Sequence, residues 1–112
     1  MAETRAMMRY APSSAQKMRR VMTAVRGRKA DEALAYLQNM PQTAAARLAK
    51  LLQSAIANAV ENQGLRREDL VIAQLFANEG PTRKWRRFGA RGRFKPILRR
   101  SSHVTIVLRD NE

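Results

Sequence analysis

Apolar residues recur along this chain with two different periods. Met18, Val21, Met22 and Val25 fall at i, i+3, i+4 and i+7, the stripe of an amphipathic helix, with Arg19, Arg20 and Thr23 turned the other way. Pro12-Ser13-Ser14 punctuates the chain before it; Ser14 suits the N-cap and Gly27 the left-handed stop. Ala30, Ala33, Leu34 and Leu37 repeat the spacing in a shorter helix. Asp31 and Glu32 sit in its first turn, where the helix dipole favours acids, and Pro41 ends it. The longest helix is predicted over 43–62, with Leu48, Leu51, Leu52, Ala55, Ile56, Ala59 and Val60 as its apolar stripe. Arg47, Lys50, Ser54 and Asn58 collect on its far side, and Gly64 closes it.

Elsewhere the period is two. Ala6, Met8 and Tyr10 alternate with Arg5, Met7 and Arg9, which predicts a short first strand. Leu70 to Asn78 and Ser102 to Leu108 read as two further strands, the latter with Val104, Ile106 and Leu108 on one face. The 23 residues between them are too many for a structureless loop in a compact domain. The two strands are therefore expected to continue outward as a long hairpin, with Gly89 and Gly92 at its tip. The expected fold class is α+β: three helices packed on a small antiparallel three-stranded sheet, with a long protruding β-hairpin. The chain reads as a single domain, 1–112, in which 1–80 and 101–112 form a globular body and 81–100 an extended basic arm.

Charge sharpens this picture. Among 112 residues, 22 are Lys or Arg and 9 are Asp or Glu, a formal net charge of +13. Residues 1–29 carry +7, residues 30–79 carry −2, and residues 80–112 carry +8; from Gly80 to Arg109 there is no acid at all. Nine cations between Arg83 and Arg100 repel one another, and a two-stranded ribbon is marginal in water even when neutral. A surrounding polyanion would screen that repulsion and give the ribbon a surface to pack on. The chain has no cysteine, no run near the roughly 18 apolar residues of a membrane span, and no apolar block in residues 1–20 resembling a secretory leader.

Catalytic chemistry is not expected. His103 is the only histidine and has no carboxylate nearby in sequence. Asp31 with Glu32, and Glu68 with Asp69, are adjacent pairs whose side chains point apart, the second pair in a turn. Gly89-Ala90-Arg91-Gly92 lacks the spacing of a phosphate-binding loop. No enzyme activity, cofactor, metal, membrane association or small-molecule substrate is expected.

The strong feature is Arg83-Lys84-Trp85-Arg86-Arg87-Phe88-Gly89-Ala90-Arg91-Gly92-Arg93-Phe94-Lys95. Arginine offers a planar fork that suits phosphate oxygens, and Trp85, Phe88 and Phe94 suit stacking on unpaired bases or packing across the hairpin. Arg99 and Arg100 stand where the hairpin joins the body. Lys17, Arg19, Arg20, Arg26, Arg28 and Lys29 form a second patch around the first helix, and Arg47 and Lys50, on the far side of the third helix, are further RNA-binding candidates. These residues fit RNA and DNA alike.

Five segments, in order, resemble the large-subunit ribosomal protein L-twenty-two family. Val25-Arg26-Gly27-Arg28 is similar to that family's I-R-G-K, and 51–59 (LLQSAIANA) to its K-V-L-x-S-A-x-A-N-A. Glu79-Gly80-Pro81 resembles D-x-G-P, Ala90-Arg91-Gly92-Arg93 resembles R-A-R-G-R, and Arg99-Arg100-Ser101-Ser102-His103-Val104 resembles K-R-T-S-H-I. The family's S-P-R-K reads Ser14-Ala15-Gln16-Lys17 here, and the tip lacks the usual proline. The resemblance implies a structural constituent of the large ribosomal subunit that binds 23S-type rRNA and supports assembly, in a bacterial cytoplasm or an organelle. It places the body near the tunnel exit, beside neighbouring large-subunit proteins, and the tip, Phe88 to Arg93, against the nascent polypeptide. It adds Ser102 and His103 to the RNA-binding residues. The rival expectation is a free RNA chaperone or nucleoid-type DNA-binding protein.

Overall fold

The last strand organises the molecule. The computed structural model describes residues 3–88 and 90–110, and within them not the side chains of residues 85–88, 90 and 94–97. In chain order the elements are β1 (Glu3–Ala11), α1 (Ala15–Val25), α2 (Ala30–Gln38), α3 (Thr43–Ala57), β2 (Leu70–Glu79), β3 (Arg83–Phe88), β4 (Phe94–Arg99) and β5 (Ser102–Asp110). β5 lies between β1 and β2 and pairs antiparallel with both. Ala6 stands opposite Ile106, and Ile106 opposite Leu75, so one inward row crosses the sheet. The helices cover that inward face. Met18 and Met22 of α1, Leu37 of α2 and Leu48 and Leu52 of α3 are buried in one cluster with Leu70, Val104, Ile106 and Leu108. The expected α+β class, three helices on a three-stranded antiparallel sheet, is what the chain adopts.

The local signals act as expected in α1 and α2. Ser14 caps α1, its hydroxyl accepting from the Lys17 amide at 3.3 Å, and Gly27 follows the helix with φ +80°. The predicted stripes of both helices are buried throughout.

Three expectations are corrected. Tyr10 does not join Ala6 and Met8 on the inner face. The β1–β5 register shifts between Met8 and Ala11, Tyr10 adopts φ 56° and is 64% exposed, and Ala11 returns to the core. A bulge of this kind re-aims one side chain while the strand continues. Val60 is 38% exposed because α3 ends in a wider π-helical turn, Asn58–Asn62, which rotates Val60 out of the stripe. Val104, Ile106 and Leu108 of β5 share one buried face as expected, and Thr105 and Val107 on the other are buried too.

The third correction concerns the ribbon. β2 and β5 do not run on into the hairpin; β3 and β4 form a separate two-stranded sheet, with Arg83 opposite Arg99 and Phe88 opposite Phe94. The break falls at Gly80-Pro81-Thr82 and Arg100-Ser101. The Gly80 amide donates to the Ser101 carbonyl at 2.9 Å, and the Ser101 hydroxyl donates to the Pro81 carbonyl at 2.7 Å. The approach is close enough that a Cβ on Gly80 would lie 2.6 Å from Ser101 Oγ. At the far end Arg91 (φ 59°) and Gly92 (φ +73°) make a left-handed turn; the expected partner glycine, Gly89, lies outside the described residues. The molecule measures 64 × 24 × 18 Å.

Candidate nucleic-acid interface

Three grooves meet where the two sheets join. The first, between the start of α1 and the N-terminal turn of α3, is lined by Lys17, Arg20 and Arg47 with Ser13 and Thr43. Lys17 and Arg20 are three apart on a helix and so share a face. Arg47 is half-buried and donates to the Ser13 hydroxyl, which fixes its guanidinium at the groove wall. The second groove runs from Lys17 past Gly80 to Arg100, and the third places Arg83 and Arg99 beside Tyr10 and Pro12. Lys17, Arg83, Arg99 and Arg100 thus surround the junction, Arg20 and Arg47 line the adjoining groove, and Glu79 is the only acid among the described residues lining the three. Arg83 and Arg99 are direct cross-strand partners, an arrangement that like charges disfavour.

Other cations of the predicted set hydrogen-bond to the protein itself, although Arg19 and Arg26 remain exposed. Arg19 donates through Nε and Nη2 to the Ala77 carbonyl at 3.1 and 2.8 Å, and Arg26 donates through Nη2 to the Leu75 carbonyl at 2.7 Å. Both carbonyls belong to β2, whose other edge pairs with β5. Arg28 donates to the Ala24 carbonyl at 2.9 Å, lies 3.7 Å from Glu32, and sits 4.3 Å over the Tyr36 ring. Its own carbonyl accepts from Ile72, and Lys29 bridges to Val71, so the same edge of β2 is met further along by backbone. These arginines fasten α1 and the turn after it to the sheet. Their seven-residue spacing, 19 and 26, is the sequence signal of a shared helix side.

Ser102 is fully buried, which takes its hydroxyl out of reach of a surface partner. His103 Nδ1 accepts from the Tyr10 amide at 3.1 Å, and the two rings meet edge-on at 4.9 Å, so this histidine braces the β1 bulge. Lys29 and Lys50 are exposed but line none of the three grooves. In the hairpin, Arg83, Lys84, Arg91, Arg93, Arg99 and Arg100 are exposed. The side chains of Trp85, Arg86, Arg87, Phe88, Ala90, Phe94 and Lys95, and Gly89 entirely, lie outside the described residues. Arg5 and Arg9, absent from the predicted set, are exposed on β1; their alternation with Met7 was the available signal.

Among the described residues, no group of three or more His, Asp or Glu side chains could hold a metal ion. Asp31 pairs with Arg67 at 2.5 Å and Glu32 with Arg28, so the adjacent acids diverge as expected. No described helix is long and apolar enough to cross a membrane.

The family model described as ribosomal protein L22p/L17e matches residues 6–109. The chain is 44% identical over 110 residues to the large ribosomal subunit protein uL22 of Thermoanaerobacter sp. (strain X514), covering 98% of this chain and 99% of the relative. It is equally similar to the proteins of that name from Finegoldia magna, with 98% of each covered, and from Synechococcus sp. (strain JA-3-3Ab), with 98% and 89% covered.

Proposed function

The chain belongs to the ribosomal protein L22p/L17e family and is a structural constituent of the large ribosomal subunit, and from that premise we propose that it grips rRNA at the cationic junction between its two sheets. The family is not an enzyme class. In this reading residues 1–80 and 101–112 form a body that seats on rRNA through Lys17, Arg20, Arg47, Arg83, Arg99 and Arg100. Residues 81–100 form an arm that rRNA encloses, with Lys84, Trp85, Arg86, Arg87, Arg91, Arg93 and Lys95 along it. The body sits near the tunnel exit beside neighbouring large-subunit proteins, and the tip, Phe88 to Arg93, lines the path of the nascent chain.

The observation that supports this most directly is the set of six cations, with one acid among the described residues, lining the junction grooves and the groove that adjoins them. Repulsion across the Arg83–Arg99 pair is relieved when phosphates stand between and beside the guanidinium groups. The elongation of the molecule, 64 Å against 24 and 18 Å, suits a body with an extended arm.

Sedimentation tests the reading. The protein is expected to travel with large subunits through a high-salt gradient, because many simultaneous phosphate contacts make release slow. The triple change Lys17→Ala, Arg20→Ala and Arg100→Ala is expected to shift it to the free fraction at a lower salt concentration. An unaltered protein found mainly free would instead favour an RNA chaperone or a DNA-binding protein.

A further inference from the structure

The helices cover one face of the three-stranded sheet; the other carries an orderly set of side chains with no element over it. Its rows follow from the register. Met7, Thr105 and Phe76 stand side by side across β1, β5 and β2, and His103 and Asn78 form the next row. Met7 is 47% exposed and Phe76 37%. Tyr10 is turned to this same surface by its left-handed backbone, and Arg5 and Arg9 flank the groove, which no acid lines.

We infer that this face is a platform for an unpaired RNA nucleotide, with Tyr10 stacking on the base over the floor of Met7 and Phe76, and with Arg5 and Arg9 holding the adjacent phosphates. A bulky residue at positive φ is a conformational outlier, and such strain persists only where surroundings enforce it. Here the His103 acceptor and the edge-on ring contact hold Tyr10 outward, although an inward side chain would bury more apolar surface. Because Nδ1 of His103 accepts, the proton of the neutral ring sits on Nε2, a donor in the same row as the Asn78 amide. Exposed aromatic side chains on an open sheet, flanked by cations and base-edge donors, are the elements with which sheets read single-stranded RNA. Charge complementarity selects the occupant: Arg5 and Arg9, with no acid among the described lining residues, suit a polyanion. The inference rests on the rRNA-binding reading; Arg5, Met7, Arg9 and Phe76 line none of the junction grooves, and Tyr10 alone is shared with the third.

The test uses the full chain and a hexameric RNA carrying 4-thiouridine. Photo-cross-links within 3–11 or 70–79 are expected, and hexamer affinity should exceed that for a matched abasic ribose-phosphate oligomer by about tenfold. Tyr10→Leu, with its folding confirmed by unchanged amide protection in β5, should lose most of that excess. Cross-links confined to residues 83–100, or an excess unchanged in Tyr10→Leu, would overturn the inference. In assembled subunits, Met7→Ala, at a residue that lines none of the junction grooves, should still sediment in high salt. A cross-link from this face to a protein rather than to RNA would overturn the inference while leaving the rRNA-binding reading standing. An unaltered chain that fails to join subunits would sink that reading instead, and the hexamer map would still decide the role of the sheet face.

Discussion

The body and the hairpin are both built on antiparallel pairing, yet different forces hold them. In the body, β5 is flanked by two strands and covered by three helices, and its residues Val104 to Leu108 are all buried. In the hairpin, β3 and β4 have only each other as ladder partners, and Arg83, Lys84, Leu98 and Arg99, the described side chains of these strands, are all exposed. The body is stabilised by apolar area removed from water; the hairpin, within this chain, has backbone hydrogen bonds working against like charges. One region brings its own interior, and the other is suited to borrowing one.

Substitutions can break or sharpen that contrast. The largest effect is expected in the interior. Leu52→Ala removes a fully buried side chain from the cluster between α3 and the sheet and should cost about 2–5 kcal/mol in urea unfolding. Arg19→Ala should follow at about 1–2 kcal/mol, because the Ala77 carbonyl loses both of its guanidinium donors. Arg20→Ala, its exposed neighbour, should leave stability unchanged while weakening RNA binding. That pair of measurements separates a cation fastened inward from one facing a partner. Ser14→Ala should cost about 1 kcal/mol through the lost cap of α1. The smallest change is expected from Lys84→Ala in the arm, within about 0.5 kcal/mol of the parent protein. Amide exchange on the free protein should show strong protection in β5 and weak protection in β3 and β4. Equal protection in the two sheets would mean that the hairpin is stable without its partner.

Much of the body could be read directly from residue spacing. The stripes of α1 and α2, the Ser14 cap, and the two strands at 70–79 and 102–110 follow from periodicity, since burying one helix face or one strand row is what that periodicity records. What spacing missed has identifiable causes. Tyr10 obeys the alternation of its neighbours in sequence, but a single left-handed residue inverts its direction. Val60 fits the stripe of an ideal helix, and the π turn shifts its phase. The interruption at Gly80 depends on hydrogen bonds between segments twenty residues apart. The interface was harder to delimit than the fold. An arginine that donates to a phosphate and one that donates to a strand carbonyl use the same fork of N–H groups, so composition alone does not reveal that Arg19, Arg26 and Arg28 also bond within the protein. Arg5 and Arg9 went unassigned because a brief strand at the start of a chain carries little signal of which face stays open.

The guanidinium groups on the Leu75 and Ala77 carbonyls have one more consequence. A strand at the rim of a sheet, with its acceptors vacant, is a template on which a second copy can add, and copies added in succession grow into aggregates. Arg19 and Arg26 occupy those acceptors before any newcomer can, and each sets a positive charge there that would repel an identical chain. A second copy of this strand thus meets two acceptors of this edge already taken.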